Sequence, residues 1–238
     1  IPMDLVPLKD DWSLDVDKML ENAKNDDGGI IFANPNAPTA LALSREEVRK
    51  MLEKANKDEI FIVDEAYVDF GAKSAVSLIH KYDNLLVTQT FSKSRSLAGG
   101  RLGFAIGNAS LIQDLNTIRF STNPYNINSM TMACGIGTVY DSEYTEENCK
   151  KIINTRKWTV DELNKLGFSL TDSVANFLFA KHPEYSGKEI YLKLKENGVL
   201  VRHFDKDKLT EYNRITVGSD EQMKTFIEKL KFVLEELK

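Results

Sequence analysis

Short, continuous apolar runs alternate with amphipathic stretches through the first half of the chain. Ile30-Ile31-Phe32-Ala33, Ile60-Phe61-Ile62-Val63 and Leu85-Leu86-Val87 are each bounded by polar or turn-forming residues. Runs of this kind fit strands buried on both faces. Gly103-Phe104-Ala105-Ile106 is a further run, and Met3-Asp4-Leu5-Val6-Pro7-Leu8 reads as a short strand stopped by its proline. Between the runs, residues 14–23 carry apolar side chains at helical spacing and stop before Gly28-Gly29. Ser44-Arg45-Glu46-Glu47 is a capping box that opens a helix running to about Asn56. Residues 72–81 form a weaker helical pattern. Strand, helix, strand, helix, strand predicts a largely parallel sheet covered by helices.

After Gly107 the pattern turns helical. Residues 110–120 predict one helix. Pro124, followed by Met130, Cys134, Ile136 and Val139, predicts a second and well-buried one. A long amphipathic helix over residues 145–166 ends at Gly167, a natural residue just past a helix C-terminus. The texture then changes. Residues 168–170, 175–180, 199–202 and 213–217 read as strands, and residues 186–196 as a helix ending near Gly198. A final helix over residues 219–237 is capped by Ser219-Asp220-Glu221-Gln222. The change divides the chain into a domain at 1–141 and a smaller α+β domain at 142–238.

Composition narrows the function classes. The 238 residues carry a net charge of −5 and are 42% hydrophobic, ordinary values for a globular chain. No basic block suggests nucleic acid, and no apolar run suits a membrane span. Two cysteines, Cys134 and Cys149, make neither a disulfide framework nor a zinc site, so no metal is expected and a reducing cytoplasm is the default. No signal peptide is expected. The chain opens on Ile1 rather than Met, as a fragment or a trimmed chain would.

The chemistry gathers at strand ends. Thr90-Phe91-Ser92-Lys93 follows the run at 85–87, and a loop with Gly99 and Gly100 leads on to Arg101. Open α/β sheets bind ligands at the carboxyl ends of their strands. Hydroxyls and an arginine around Lys93 suit a phosphate. The lysine is then either a counter-charge or an amine that forms a Schiff base with a carbonyl. An ordinary basic surface loop is the plainer alternative. Asp64 follows the apolar run at 60–63, where a partly desolvated carboxylate calls for a cationic partner such as a protonated pyridine nitrogen. Tyr67, three residues on, can direct its hydroxyl to the same ligand. Taken singly, Asp64 reads as a helix cap and Tyr67 as a packing residue. His203, beside Arg202, reads as lying at a solvated strand end, with a place lining a substrate pocket as the alternative.

Four motifs in order resemble one family. Asn34-Pro35-Asn36-Ala37-Pro38-Thr39, Asp64-Glu65-Ala66-Tyr67, Thr90-Phe91-Ser92-Lys93 with Leu97-Ala98-Gly99 and Arg101, and Asn213-Arg214-Ile215-Thr216-Val217-Gly218, joined by Arg202, are similar to those of fold-type I, pyridoxal-phosphate-dependent aminotransferases, in the histidinol-phosphate aminotransferase branch. The resemblance runs the length of the chain. It implies a three-layer α-β-α large domain with a mostly parallel sheet and a small α+β C-terminal domain. It implies pyridoxal 5'-phosphate as cofactor, and a homodimer. The implied activity moves an amino group from histidinol phosphate or an aromatic amino acid to a 2-oxo acid. Lys93 would hold the cofactor aldehyde and carry a proton, from a buried position among other cations. Asp64 would face the ring nitrogen, Tyr67 the phenolic oxygen, and Thr90, Ser92 and Arg101 the phosphate. Arg214 would clamp the substrate carboxylate and Arg202 its distal phosphate.

The resemblance also marks departures. Family members carry a further stretch before the equivalent of Ile1, with a glycine-containing phosphate loop and a ring-stacking aromatic. Without these, a weak or inactive enzyme is expected. The family's Asn-Pro-Thr-Gly appears here as Ala37-Pro38-Thr39-Ala40, and Ala37 cannot donate the asparagine's hydrogen bond. Asn36 is the nearest substitute. Two alternatives stay open: a non-catalytic remnant that binds only a ligand or partner, and a related decarboxylase or lyase using the same cofactor.

Overall fold

The computed structural model describes residues 3–24 and 28–238. Its backbone contacts divide the chain into two compact units, residues 1–36 with 42–145, and residues 37–41 with 146–238.

The first unit is built on a four-stranded sheet. Its strands are β1 (Ile30–Ala33), β2 (Phe61–Asp64), β3 (Leu85–Thr90) and β4 (Gly103–Gly107), in that order across the sheet. The first three run parallel and β4 lies antiparallel to β3. Ala33 aligns with Asp64, and Asp64 with Thr88, so the carboxyl ends of three strands lie side by side. Helices α1 (Val16–Ala23) and α2 (Arg45–Lys54) contribute Leu20, Val48, Met51 and Leu52 to a core shared with Ile30, Phe32, Phe61, Val63, Leu85 and Val87. Both helices start where their caps place them. The Asp15 side chain accepts from the Lys18 amide, and Ser44 and Glu47 form a complete capping box.

Two expected elements of this unit are not found as read. Residues 3–8 form no strand, and Met3 and Leu5 are exposed. No described strand lies alongside to satisfy their backbone groups, and a lone strand does not persist in water. Residues 72–81 contract to a single 3₁₀ turn at Val76–Leu78. The Ser74 hydroxyl and the Ala75 amide are instead bound by the Glu65 carboxylate, which holds this segment against the sheet end.

Helices α3 (Ala109–Thr122) and α4 (Ser129–Tyr140) follow β4. The burial expected of α4 is not found. Met130, Ile136 and Val139 are exposed, as is Cys134, and Gly135 is the buried residue of this helix. The helix meets the rest of its unit at that glycine, where an added Cβ would come within 2.5 Å of the Leu102 side chain.

The long helix α5 (Ser142–Lys165) leads into the second unit. There β5 (Ser169–Leu170), β6 (Phe177–Lys181), β7 (Arg202–His203) and β8 (Asn213–Thr216) form an antiparallel sheet in the order β5-β6-β8-β7. Helices α6 (Gly187–Glu196) and α7 (Asp220–Glu236) pack with it. Met223, Phe226, Ile227, Leu230, Val233 and Leu234 recur at helical spacing along α7 and fill the core. The predicted strand at 199–202 is found only at Arg202, the first residue of β7. Residues 37–41 join this unit: Thr171 Oγ1 donates to the Thr39 carbonyl at 2.5 Å, and the Val174 amide to the Ala40 carbonyl at 3.1 Å. Arg156, to which the sequence assigned no role, is buried and donates to the Ala175 carbonyl. Desolvation holds its guanidinium below its ordinary basicity, opposed by Asp172.

Candidate active site

In the first unit the site is assembled at the ends of β1, β2 and β3. Each strand leaves the sheet through a turn fixed by a polar side chain. After β1, the buried Asn34 side chain both donates to the Leu43 carbonyl (3.1 Å) and accepts from the Leu43 amide (2.7 Å). This two-way contact sets the course of the turn that holds Asn36, which is half-buried. After β2, Asp64 Oδ1 accepts from the Ala66 amide at 3.0 Å, and the Asp64 side chain stays half-buried at the strand end. After β3, Thr90 Oγ1 accepts from the Ser92 amide at 3.1 Å and lies 3.4 Å from the Leu102 carbonyl.

Lys93 stands at the tip of the turn that follows. Its Nζ lies 5.2 Å from the centre of the Tyr67 ring. Asp64, Tyr67 and Lys93, selected from the sequence as one cluster, thus come from the adjoining ends of β2 and β3, and two of them touch. The burial expected for Lys93 is not found: it is exposed in this structure, and it makes no ion pair among the described residues. The turn leaves the side chain open to solvent, although its amine lies near the Tyr67 ring. Arg101 is also exposed, in a left-handed conformation (φ 51°), and its Nη1 donates to the Ala98 carbonyl at 3.1 Å. Arg95 lies over the Phe91 and Phe104 rings.

The second unit carries the two remaining candidate arginines. Arg202 on β7 and Arg214 on β8 are directly paired across the sheet. Arg214 is half-buried, its guanidinium 5.2 Å from the centre of the Phe177 ring, and its Nε is buried without a hydrogen-bond partner. Such a donor is left available for an anion. His203 corrects the sequence reading. Its side chain is 7% exposed and stacks on Tyr191, because α6 packs beside β7 and covers the strand end.

The set of donors is chemically specific. A primary amine near a phenol ring, a carboxylate and two hydroxyls lie at or just past the ends of adjacent strands. These residues suit a ligand that has an aldehyde, a basic ring nitrogen and a phosphate. Sequence reasoning passed over Asn34, Glu65, Asp69 and Ser94, which fix the turns. Their signal is weak, since polar residues after a strand look alike until their partners are known.

Comparison with known proteins decides the family. The family model for aminotransferase class I and II matches residues 1–230. The chain belongs to the class I and II aminotransferases. It is 49% identical, over 231 residues, to a histidinol-phosphate aminotransferase from Brachyspira hyodysenteriae. That match covers 97% of this chain and 64% of the relative, so the chain spans about two-thirds of the relative's length. Among solved structures, the histidinol-phosphate aminotransferase from Clostridium acetobutylicum is 26% identical with a TM-score of 0.87, over 96% of this chain and 70% of that one. A decarboxylase from Sulfurospirillum multivorans is 26% identical with a TM-score of 0.84, over 96% and 69% of the two chains. The α/β fold with a mostly parallel mixed sheet is that of this family.

Proposed function

We propose that this protein is a pyridoxal-phosphate-dependent aminotransferase that moves an amino group from histidinol phosphate, or an aromatic amino acid, to a 2-oxo acid. The observation that carries the reading is the Lys93 amine held over the Tyr67 ring beside Asp64, at the carboxyl ends of parallel strands in a chain of this family. The 49% identity to a histidinol-phosphate aminotransferase supports the donor class.

The donor set fits the cofactor. Lys93 would hold its aldehyde, Asp64 its ring nitrogen, Tyr67 and Asn36 its phenolic oxygen, and Thr90, Ser92 and Arg101 its phosphate. Pyridoxal phosphate supplies an electron sink for the charge that develops at the substrate α-carbon. This chain's residues do the rest. Once the incoming substrate amine has displaced it from the aldehyde, the freed Lys93 Nζ would take the proton from the α-carbon as general base. The Asp64 carboxylate would favour the protonated form of a ring nitrogen held there. Arg214, with its unpartnered Nε and planar fork, binds the substrate carboxylate. Arg202 takes the distal phosphate. A homodimer working in the cytoplasm belongs to the same proposal.

A decarboxylase with the same lysine is the second reading, carried by the similarity to the Sulfurospirillum structure. One experiment separates the possibilities. Absorbance is recorded near the visible edge with and without pyridoxal phosphate, then amino donors are supplied with a 2-oxo acid. The proposal expects a new band and amino transfer from histidinol phosphate. Release of carbon dioxide without transfer favours the decarboxylase. Absence of any band marks a non-catalytic binding protein and overturns the proposal.

A further inference from the structure

Lys93 is exposed, yet its backbone is anchored on both sides. On the preceding side, the Ser92 amide donates to Thr90 Oγ1 at 3.1 Å. On the following side, the Ser94 hydroxyl donates to Asp69 Oδ2. Arg95 Nη1 donates to the same oxygen at 3.1 Å. The turn also closes on itself, with the Ser96 amide on the Lys93 carbonyl (3.2 Å) and the Leu97 amide on the Phe91 carbonyl (2.9 Å). Asp69 sits two residues after Tyr67, in a 3₁₀ turn at Val68–Phe70.

We propose that Asp69 is a positioning residue that ties the Lys93 turn to the Tyr67 segment and so fixes the lysine amine over the Tyr67 ring. The inference rests on the functional reading above, in which Lys93 and Tyr67 serve one cofactor. Two donors from consecutive residues converge on a single carboxylate oxygen, which defines the direction of the turn more closely than either alone. Exposed ion pairs usually contribute little. Asp69 is itself exposed, its side chain at 32%, but its two donors are better shielded: Ser94 is 7% exposed and the Arg95 side chain 21% exposed. The Arg95 guanidinium is also held over the Phe91 and Phe104 rings, 5.4 and 5.8 Å from their centres. Its position is therefore set before it meets Asp69, and the carboxylate is left with one geometry to satisfy. Hydrogen bonds to a charged acceptor are among the stronger ones in a folded chain.

The test compares the wild-type chain with Asp69→Ala and Asp69→Asn. Amide hydrogen exchange is measured without cofactor, along with melting temperature. The rate at which Lys93 is captured by added pyridoxal phosphate is then followed by borohydride trapping. In Asp69→Ala, exchange at Ser96 and Leu97 is expected to rise, and capture at Lys93 to fall, by roughly tenfold or more, the effect of losing two hydrogen bonds to a charged group, one of them exposed. Exchange in β2 and β3 should not change. Asp69→Asn keeps an acceptor without the charge and should fall between the two. Unchanged exchange at Ser96 and Leu97 in Asp69→Ala would overturn the inference, whatever the cofactor does. Loss of protection throughout the sheet, in step with the melting temperature, would also overturn it by reducing Asp69 to a stabilising residue. A wild-type chain that never captures cofactor at Lys93 defeats the functional reading instead, and the exchange data alone then decide the clamp.

Discussion

Glu65 offers the most demanding test of how the site is held. Its carboxylate is buried, 1% exposed, directly after Asp64. It accepts from the Ala75 amide at 2.6 Å, the Ser74 hydroxyl at 2.6 Å and the Gln89 side-chain amide at 2.9 Å. Glu65→Ala strands all three donors. A buried donor without a partner costs about 1–3 kcal/mol. The Ala75 amide bears this in full, since Ala75 is buried, whereas half-buried Ser74 and Gln89 can turn partly to water. Removing a desolvated carboxylate offsets part of the loss. The expected net destabilisation is therefore about 2–4 kcal/mol. Glu65→Gln keeps one oxygen for the Ala75 amide but turns an NH₂ toward two donors, for a smaller loss of about 1–2 kcal/mol. Urea unfolding followed by circular dichroism reads both, and the larger loss shifts the midpoint by roughly 1 M. An alanine variant within about 0.5 kcal/mol of wild type, the usual range for inert surface changes, would refute the reasoning.

Other outcomes follow from the same structure. Asp64→Ala should bind cofactor phosphate nearly as well as wild type but slow single-turnover proton transfer on the order of 10²–10³-fold. Normal single-turnover rates would remove Asp64 from its role. Arg214→Lys should impair use of the amino donor far more than cofactor binding, because lysine lacks the planar fork, and steady-state kinetics with a cofactor titration separates the two. Leu230→Ala, fully within the core of the second unit, should destabilise it by about 2–5 kcal/mol in a denaturant titration. Glu47 gives a pH signature. Its hydrogen bonds to the Ser44 side chain and backbone hold its carboxyl below the ordinary value. Its contribution to stability is thus present above the unfolded-state value of 4.5 and lost as pH falls through the lower folded value. In Glu47→Gln, stability should fall less over that acidic range, as urea midpoints at several pH values would show.

The strands that carry the site were legible because their apolar runs end abruptly in polar residues. Ile60 to Val63 followed by Asp64, and Leu85 to Val87 leading to Lys93, place chemistry at strand ends by pattern alone. The capping boxes at Ser44 and Ser219 fixed helix starts for the same local reason. Burial was harder to read. The apolar residues of α4 show what would favour cover but not what supplies it, so Met130 and Val139 were wrongly expected inside. His203 erred the other way, since its cover comes from Tyr191, in another element. Asp69 and Ser94 are 25 residues apart, and no local pattern announces that pairing. Glu65 was visible only as part of a motif, and its three partners come from two other segments.

The central claim is that Lys93 is the lysine that binds the cofactor. Pyridoxal phosphate is added to the full chain, the complex is reduced with borohydride, and the labelled peptides are mapped. The account predicts pyridoxyl label on Lys93, and loss of that label in Lys93→Arg. Label confined to other lysines, with none on Lys93, would contradict it.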